Sequence, residues 1–448
     1  MITQNRRRFL QTSAVAAGGL VLPRFSIGQD QPSKKLNFAA IGVGGKGDSD
    51  LAHSAELANI VAICDVDRRT LARAQAKYPN AKAFENYKEM FETMGDKIDG
   101  VTISTPDHAH FPAAMMAISR GIHVCVQKPL VNRISEANAL HQAAKKKGVK
   151  TNMGNQGHTG EGIRRLKEWV AAGMVGKVKE VHVWTNRPIW PQGSKAKAEI
   201  VPADAPDYLN WQAWLAQCPD IPYHQGLHDF KWRGHMEYGS GAVGDMCCHL
   251  ADGPFWALDL GEPYKLEGQC EDITDVTWPV NGRVECHFKT PAHGDVKLTW
   301  YEGGLRPERP AGLEESRKWE AKGGFLIVGE EGTIMNTDDY CSSPRMIPEE
   351  KFKAWMKDKE PQKTLERCLS PGNPQKELIL AIEQDKICGS NFDYAVPLTK
   401  FGLLANLAIG NPGKVIDWDV AAQKVTSVPE ANAMLNRAAV RPGWDFTA

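Results

Sequence analysis

Asp245, His249 and Asp252 stand four and three residues apart, so on a helix they share one face and set an imidazole between two carboxylates. Such a group can move a proton, because a carboxylate orients the ring and draws its pKa toward neutrality. The segment Gly239-Ser240-Gly241-Ala242-Val243-Gly244 supplies a glycine turn into that helix. Asp107, His108, His110, His158, His224, His228 and His249 are all residue types that ligate metals. None stands at H-E-x-x-H or another established ligand spacing, so no metal site is expected.

A second kind of chemistry is written near the start of the chain. The apolar run 36–43 ends in Gly42-Val43-Gly44-Gly45-Lys46-Gly47, the G-x-G-x-x-G order. The first glycine allows a tight turn, the second a close approach to a pyrophosphate, and the third the packing of helix on strand. Phosphate is then held at the helix N-terminus. Another apolar run, 60–64, ends at Asp65, where a carboxylate can accept ribose hydroxyls and repel a 2′-phosphate, favouring NAD over NADP. Arg68 and Arg69 follow; they could meet that phosphate, or simply form a solvated helix face.

These residues need a scaffold. Short apolar strands at 100–104, 123–126 and 149–153 alternate with helical stretches at 112–120 and 137–147, the pattern of a doubly wound parallel sheet covered on both faces. A Rossmann domain over residues 34–155 follows. Ligands bind beyond the carboxyl ends of such strands, which places Thr105-Pro106-Asp107-His108-Ala109-His110 and Gln127-Lys128-Pro129 beside the cofactor. Residues 156–448 form a second, α+β domain. Its sheet opens with the alternating Val178, Val181, Val183 and Thr185, and strands at 284–288, 296–300 and 324–329 continue it. Residues 344–373 read as charged and irregular, and 401–409 as a late helix.

Between Arg187 and Arg233 runs an irregular stretch carrying Trp190, Trp211, Trp214, Tyr223, Phe230 and Trp232. Loops of this length inside a compact domain are functional or disordered, and so much tryptophan argues against disorder. Aromatic faces stack on sugar C–H surfaces, so a carbohydrate partner is expected. Lysine plus arginine and aspartate plus glutamate each number 54, which leaves no bulk attraction to nucleic acid. The ten cysteines show no C-x-x-C pair and no legible disulfide framework.

The N-terminus reads as an address. Asn5-Arg6-Arg7-Arg8-Phe9-Leu10-Gln11 carries a twin-arginine signature, and the uncharged stretch 12–22 is too short to span a bilayer. Ser26-Ile27-Gly28 offers a cleavage site, so residues 1–33 are expected to be leader and linker. The mature protein is then expected in the periplasm with no membrane anchor.

With these pieces in view, the chain resembles the glucose-fructose oxidoreductase, inositol dehydrogenase and rhizopine-catabolism family (Gfo/Idh/MocA). The resemblance rests on four segments in order: the glycine loop, T-P-x-x-x-H at Thr105 to His110, an E-K-P-like Gln127-Lys128-Pro129, and a D-x-G-x-H-like Asp245 to His249. It implies a second domain whose open mixed, mainly antiparallel sheet covers the nicotinamide. Lys128, Asp245 and His249 are then the catalytic set, and a homo-oligomer, dimer or tetramer, is implied. Gly42, Gly44, Gly45, Lys46, Gly47, Asp65, Thr105, Pro106, His110, Gln127 and Lys128 are the expected cofactor contacts. Lys128, His158, Trp190, Trp232, Arg233, Asp245 and His249 are the expected substrate contacts. Two departures stand out: Gln127 replaces the family's usual glutamate, and Cys247 replaces a glycine. The activity implied is hydride transfer between NAD and a hydroxyl of a sugar, glycoside or polyol, with His249 in the proton-transfer role, Asp245 orienting substrate or ring, and Lys128 stabilising an alkoxide or sharing the proton; the sequence leaves the ultimate base open between Lys128 and His249. A redox-neutral glycosidase or epimerase working through a keto-sugar, and a binding protein that has lost turnover, are the competing readings. Export favours a cofactor that stays bound and is recycled.

Overall fold

The computed structural model describes residues 35–317, 319, 322–359 and 362–446; the twin-arginine segment lies outside them. The first layer alternates strand and helix: β1 Asn37–Ile41, α1 Lys46–Leu57, β2 Asn59–Cys64, α2 Arg68–Lys77, β3 Lys82–Phe84, α3 Tyr87–Met94, β4 Gly100–Ile103, α4 Asp107–Ser119, β5 His123–Val126, α5 Ile134–Lys147 and β6 Thr151–Met153. The six strands form one sheet in the order β3-β2-β1-β4-β5-β6, parallel throughout. β1 and β4 are buried on both sides, which is why they read as continuous apolar runs rather than alternating ones. The order reverses direction beside β1, so the crevice above β1 and β4 is the natural ligand site.

After α6 Glu161–Ala171 the chain enters β7 Val178–Thr185, then the tryptophan-rich stretch, which holds only short pieces: α7 Gly193–Ala198, β8 Pro202–Ala203, α8 Trp211–Leu215 and β9 Tyr223–His224. Two helices follow, α9 Gly241–Leu250 and α10 Asp252–Ala257. The strands β10 Lys265–Glu271, β11 Asn281–Thr290, β12 Gly294–Glu302, β13 Gly323–Gly329, β14 Thr333–Asn336 and β15 Arg345–Ile347 come next. The chain ends through α11 Glu349–Lys359, α12 Pro374–Glu383, α13 Phe392–Ile409, β16 Val415–Asp419 and β17 Lys424–Val425. The second sheet has nine strands in the order β15-β14-β13-β7-β12-β11-β10-β16-β17, antiparallel except where β7 lies parallel to β12. The expected α/β class with an open, mainly antiparallel second sheet is what forms.

Two expectations change. Residues 344–373 are not wholly irregular: β15 and α11 lie within them, too short and too charged to show an apolar period. The late helix α13 begins at Phe392, before 401, with Asn391 accepting from the Asp393 N–H as its cap. It is buried on almost every face because it packs against α5 and β6 on one side and α9, β10 and β11 on the other. One apolar helix thus mortars both sheets and holds α9 over the first sheet's crevice.

Candidate active site

A cleft of ≈ 690 Å³ runs from the glycine loop to α9. At one end Gly42 has φ +76°, and a Cβ there would stand 2.5 Å from the Ser104 carbonyl oxygen; one on Gly47 would stand 1.9 Å from that of Gly42. Only glycine lets the loop fold this tightly against β4. α1 then starts without a side-chain cap, leaving its first N–H groups for an anion.

Asp65 closes this end from β2. Its carboxylate accepts from the Val43 N–H at 2.9 Å and the Asp67 N–H at 3.0 Å; burial raises its pKa, and those two bonds oppose the rise. Arg69 is tied to Asp67, with N–O distances of 2.7 and 3.1 Å, and its guanidinium lies 3.4 Å over the Tyr208 ring. The tryptophan-rich stretch crosses here as a strap. Arg68 donates its N–H to Tyr208 O at 2.9 Å, and Asn210 to Val66 O at 2.8 Å. Beyond that hinge, Trp214, His228, Asp229 and Phe230 line the cleft. The indole N–H of Trp214 and the side-chain oxygen of Gln156 are buried with no hydrogen-bond partner. Orphan polar atoms, an uncapped helix start and a cradle that tolerates no Cβ together fit a dinucleotide.

The other end is charged. Lys128 leaves β5 and donates to the Asp245 carboxylate at 2.8 Å and the Asp245 carbonyl at 2.9 Å. Arg233 stands 3.0 Å from the same carboxylate, and Arg187 4.0 Å. Burial alone would raise the Asp245 pKa, but Lys128 and then Arg233 hold it far below the usual carboxylate range. The Arg233 guanidinium is steadied by Trp232 at 4.4 Å and Trp190 at 5.4 Å. His249 sits one helical turn beyond Asp245, its Nδ1 3.3 Å from the Asn155 side-chain oxygen, its ring edge-on to Tyr340 at 5.2 Å. Burial, and next Lys128, push its pKa down to about 3, so it is neutral at neutral pH.

The cleft therefore gathers Gly42, Gly44, Gly45, Lys46, Asp65, Thr105, Pro106, Gln127, Lys128, Trp232, Arg233 and His249, with Asp245 paired behind Lys128. Four expected contacts lie elsewhere. Gly47 is packed beneath the loop. His110 has Nδ1 2.8 Å from Pro129 O and Nε2 2.9 Å from Thr105 O, so it staples the two strand-end segments together from behind. Trp190 supports Arg233 and donates to Gln192 at 2.8 Å. His158 is buried in another place, paired with Asp252 at 3.1 Å and tilted against the Tyr394 ring with centroids 4.1 Å apart. Asp252 consequently does not flank His249: α9 ends at Leu250 and α10 restarts at Asp252, which turns that carboxylate away. Gln156 and Tyr340 also line the cleft, and Asn155 and Arg187 stand beside it against His249 and Asp245, without having been singled out. Asn155 and Gln156 precede His158 by three and two residues, and polarity just past a strand end was the available signal.

Among the described residues one group has metal-ligating atoms within 4.8 Å of one another: Asp67, His228 and Asp229. Asp67 is already engaged by Arg69 and by the Arg69 and Thr70 N–H groups. All ten cysteines are free thiols.

Residues 36–155 match the family model described as "Oxidoreductase family, NAD-binding Rossmann fold", and 159–275 its "C-terminal alpha/beta domain". The chain belongs to the Gfo/Idh/MocA oxidoreductase family. Within it, the chain is 30% identical over 159 residues to the D-glucoside 3-dehydrogenase of Escherichia coli, covering 35% of this chain and 44% of that protein. It is 28% identical over 163 residues to a glycosyl hydrolase family 109 protein of Shewanella pealeana, covering 30% and 35%. The chain thus spans less than half the length of these relatives. In fold it is similar to the WlbA dehydrogenase of Bordetella pertussis, solved with NADH and UDP-GlcNAcA, at a TM-score of 0.59 and 18% identity over 86% of this chain and 99% of that one.

Proposed function

We propose that this family member transfers hydride between NAD and a secondary hydroxyl of a sugar, glycoside or polyol, and that the cofactor stays on the protein between turnovers. The observation that carries the reading is the Lys128–Asp245 pair at the cleft's inner end, with Arg233 and His249 around it. Bound nicotinamide supplies the hydride chemistry. The protein's part is to hold the hydroxyl and manage its proton. In the reducing direction the Lys128 ammonium donates to the carbonyl oxygen as it becomes an alkoxide, and oxidation is the reverse. Asp245 keeps Lys128 aimed and compensates its charge. His249, neutral and next to a cation, is a poor place to store a proton. It serves as a hydrogen-bonding partner that fixes the hydroxyl, which moves the proton from the histidine favoured by sequence spacing to the lysine.

Asp65, accepting at the ribose end, supports NAD over NADP. Retention is supported by the strap hydrogen-bonded across Val66 and Arg68, and by the N-terminal arginine signature, since an exported enzyme meets no maintained pool of free NAD. The relatives named above, a glucoside 3-dehydrogenase and a glycosyl hydrolase family protein, also suit a redox-neutral cycle: a ketone at C3 acidifies the adjacent C–H and permits elimination of a glycosidic substituent before reduction. Both schemes are tested by identifying the nucleotide released from gel-filtered protein by mass spectrometry, then assaying a panel of sugars and glycosides without added cofactor. The expected result is co-eluting NAD or NADH and many turnovers. Protein that elutes empty and consumes one free NAD per product is a plain dehydrogenase, and protein that binds no nucleotide overturns the reading.

A further inference from the structure

Asp50, on α1, is completely buried and lies beneath the cleft rather than in it. Three elements converge on its carboxylate. Gln127, at the end of β5, donates its side-chain N–H at 2.7 Å; Ser104, at the end of β4, donates its hydroxyl at 2.8 Å; and the Lys46 ammonium, at the start of α1, completes the set. Gln127 has little freedom to turn away, since a Cβ on Gly154 would stand 2.6 Å from its amide. The residue after it is Lys128.

We propose that Asp50 is the positioning residue of the cofactor floor, acting through the Gln127 amide to align the strand end that carries Lys128. Gln127 is then not a lost function but half of an exchange. The family's glutamate at this position would face the Asp50 carboxylate at 2.7 Å with no proton between them, whereas an amide donates into it. In this chain a carboxylate stands one layer back, on α1, where it also grips Lys46 and the end of β4. The proposal rests on the NAD-binding reading of the cleft.

The test is a reciprocal exchange on the full chain: Asp50→Asn, Gln127→Glu, and both together. Each charcoal-treated protein is titrated with NADH by nicotinamide fluorescence, and its melting temperature is recorded. Each single variant is expected to weaken NADH by about 10-fold or more, and the double variant to return within about threefold of wild type, because contacting residues couple while independent ones add. Single variants that bind NADH as wild type does, whatever their melting temperature, would overturn the proposal, as would a double variant no better than the product of the two. A wild type that fails to bind NADH sinks the function instead, and is told apart by that measurement alone.

Discussion

The Lys128 ammonium and the Asp245 carboxylate meet at 2.8 Å although 117 residues separate them, one arriving from β5 of the first sheet and the other on α9 under the second. The contact joins the two halves of the chain at the point where chemistry is expected. Removing one side of a buried pair leaves the other uncompensated, at about 3–5 kcal/mol. The two sides are not equivalent, however. Without Lys128, Asp245 still has Arg233 at 3.0 Å; without the carboxylate, Lys128, Arg187 and Arg233 lose the partner they share, and Arg233 keeps Asp107 at 3.8 Å. Asp245→Asn is therefore expected to lower the melting temperature more than Lys128→Met. Both should reduce turnover by about 100-fold or more, the scale of a lost acid–base group. Equal melting temperatures, or near-normal turnover in Lys128→Met, would contradict this assignment.

His249→Asn is expected to cost turnover through positioning, with no change in the shape of the pH profile. With its pKa at about 3, the wild-type imidazole does not titrate between pH 5 and 8, so kcat/KM should show no inflection near 6.5 that the substitution removes. An inflection present in wild type and absent in the variant would return the proton to His249.

The same depression has a stability consequence. His249 and His108 are pushed to about 3 and His235 to about 4, in each case first by burial. Their unfolded values lie near 6.5, so below that pH the unfolded chain binds protons the folded one refuses. Stability contributed by these groups is complete above pH 6.5 and declines as pH falls toward 3–4. Thermal unfolding between pH 7.5 and 4.5 should show a falling melting temperature, with a shallower slope in His108→Asn. An unchanged slope in that variant would mean that its burial is not coupled to titration.

How much of this was written in the sequence depends on whether the deciding contact is local. The glycine loop, Asp65 and the ends of β4 and β5 could be read because a strand, a tight turn and a helix start are set within a few residues. The Asp245 and His249 spacing could be read because one helix carries both. Asp252 could not, since a single break after Leu250 rotates it toward His158 and Tyr394. Trp190 looked like a sugar platform and is a prop for Arg233, a difference decided by residues more than 40 positions apart. Asp50 gave no signal, because on its own helix it is one more acidic residue beside a lysine, and its other two partners come from the ends of two strands.

His158 is expected to matter for folding rather than catalysis. Its ring is fully buried between Tyr394 and Trp256, and it pairs with Asp252, which also accepts from the Tyr394 hydroxyl at 2.5 Å. His158→Ala leaves a cavity and takes one of the Asp252 carboxylate's hydrogen-bond partners, so several degrees of melting temperature should be lost, while turnover per folded molecule stays within about twofold of wild type. A variant that folds normally but is inactive would put His158 back in the mechanism.

Cofactor choice turns on Arg69, a cation lining the ribose end of the cleft that could welcome a 2′-phosphate. It is disarmed by Asp67, which pairs with its guanidinium and also caps α2 through the Arg69 and Thr70 N–H groups. Tyr208, on the strap, holds the guanidinium in that pose from the other side. Asp67→Asn keeps an oxygen for the cap but removes the charge that restrains Arg69, so the guanidinium should become available to phosphate. The expected outcome is a wild type that binds NAD more tightly than NADP, and an Asp67→Asn variant whose NADP to NAD affinity ratio rises by about 10-fold, the worth of one charge-assisted contact. Asp65→Ala should behave differently. Its carboxylate holds Val43 and Asp67 by their N–H groups, so its loss loosens the glycine loop and weakens both cofactors while eroding the preference. Tighter NADP binding by the wild type, left unchanged by Asp65→Ala, would show that the acidic end of β2 does not select the cofactor, and would leave Arg69 as its receptor despite the pair.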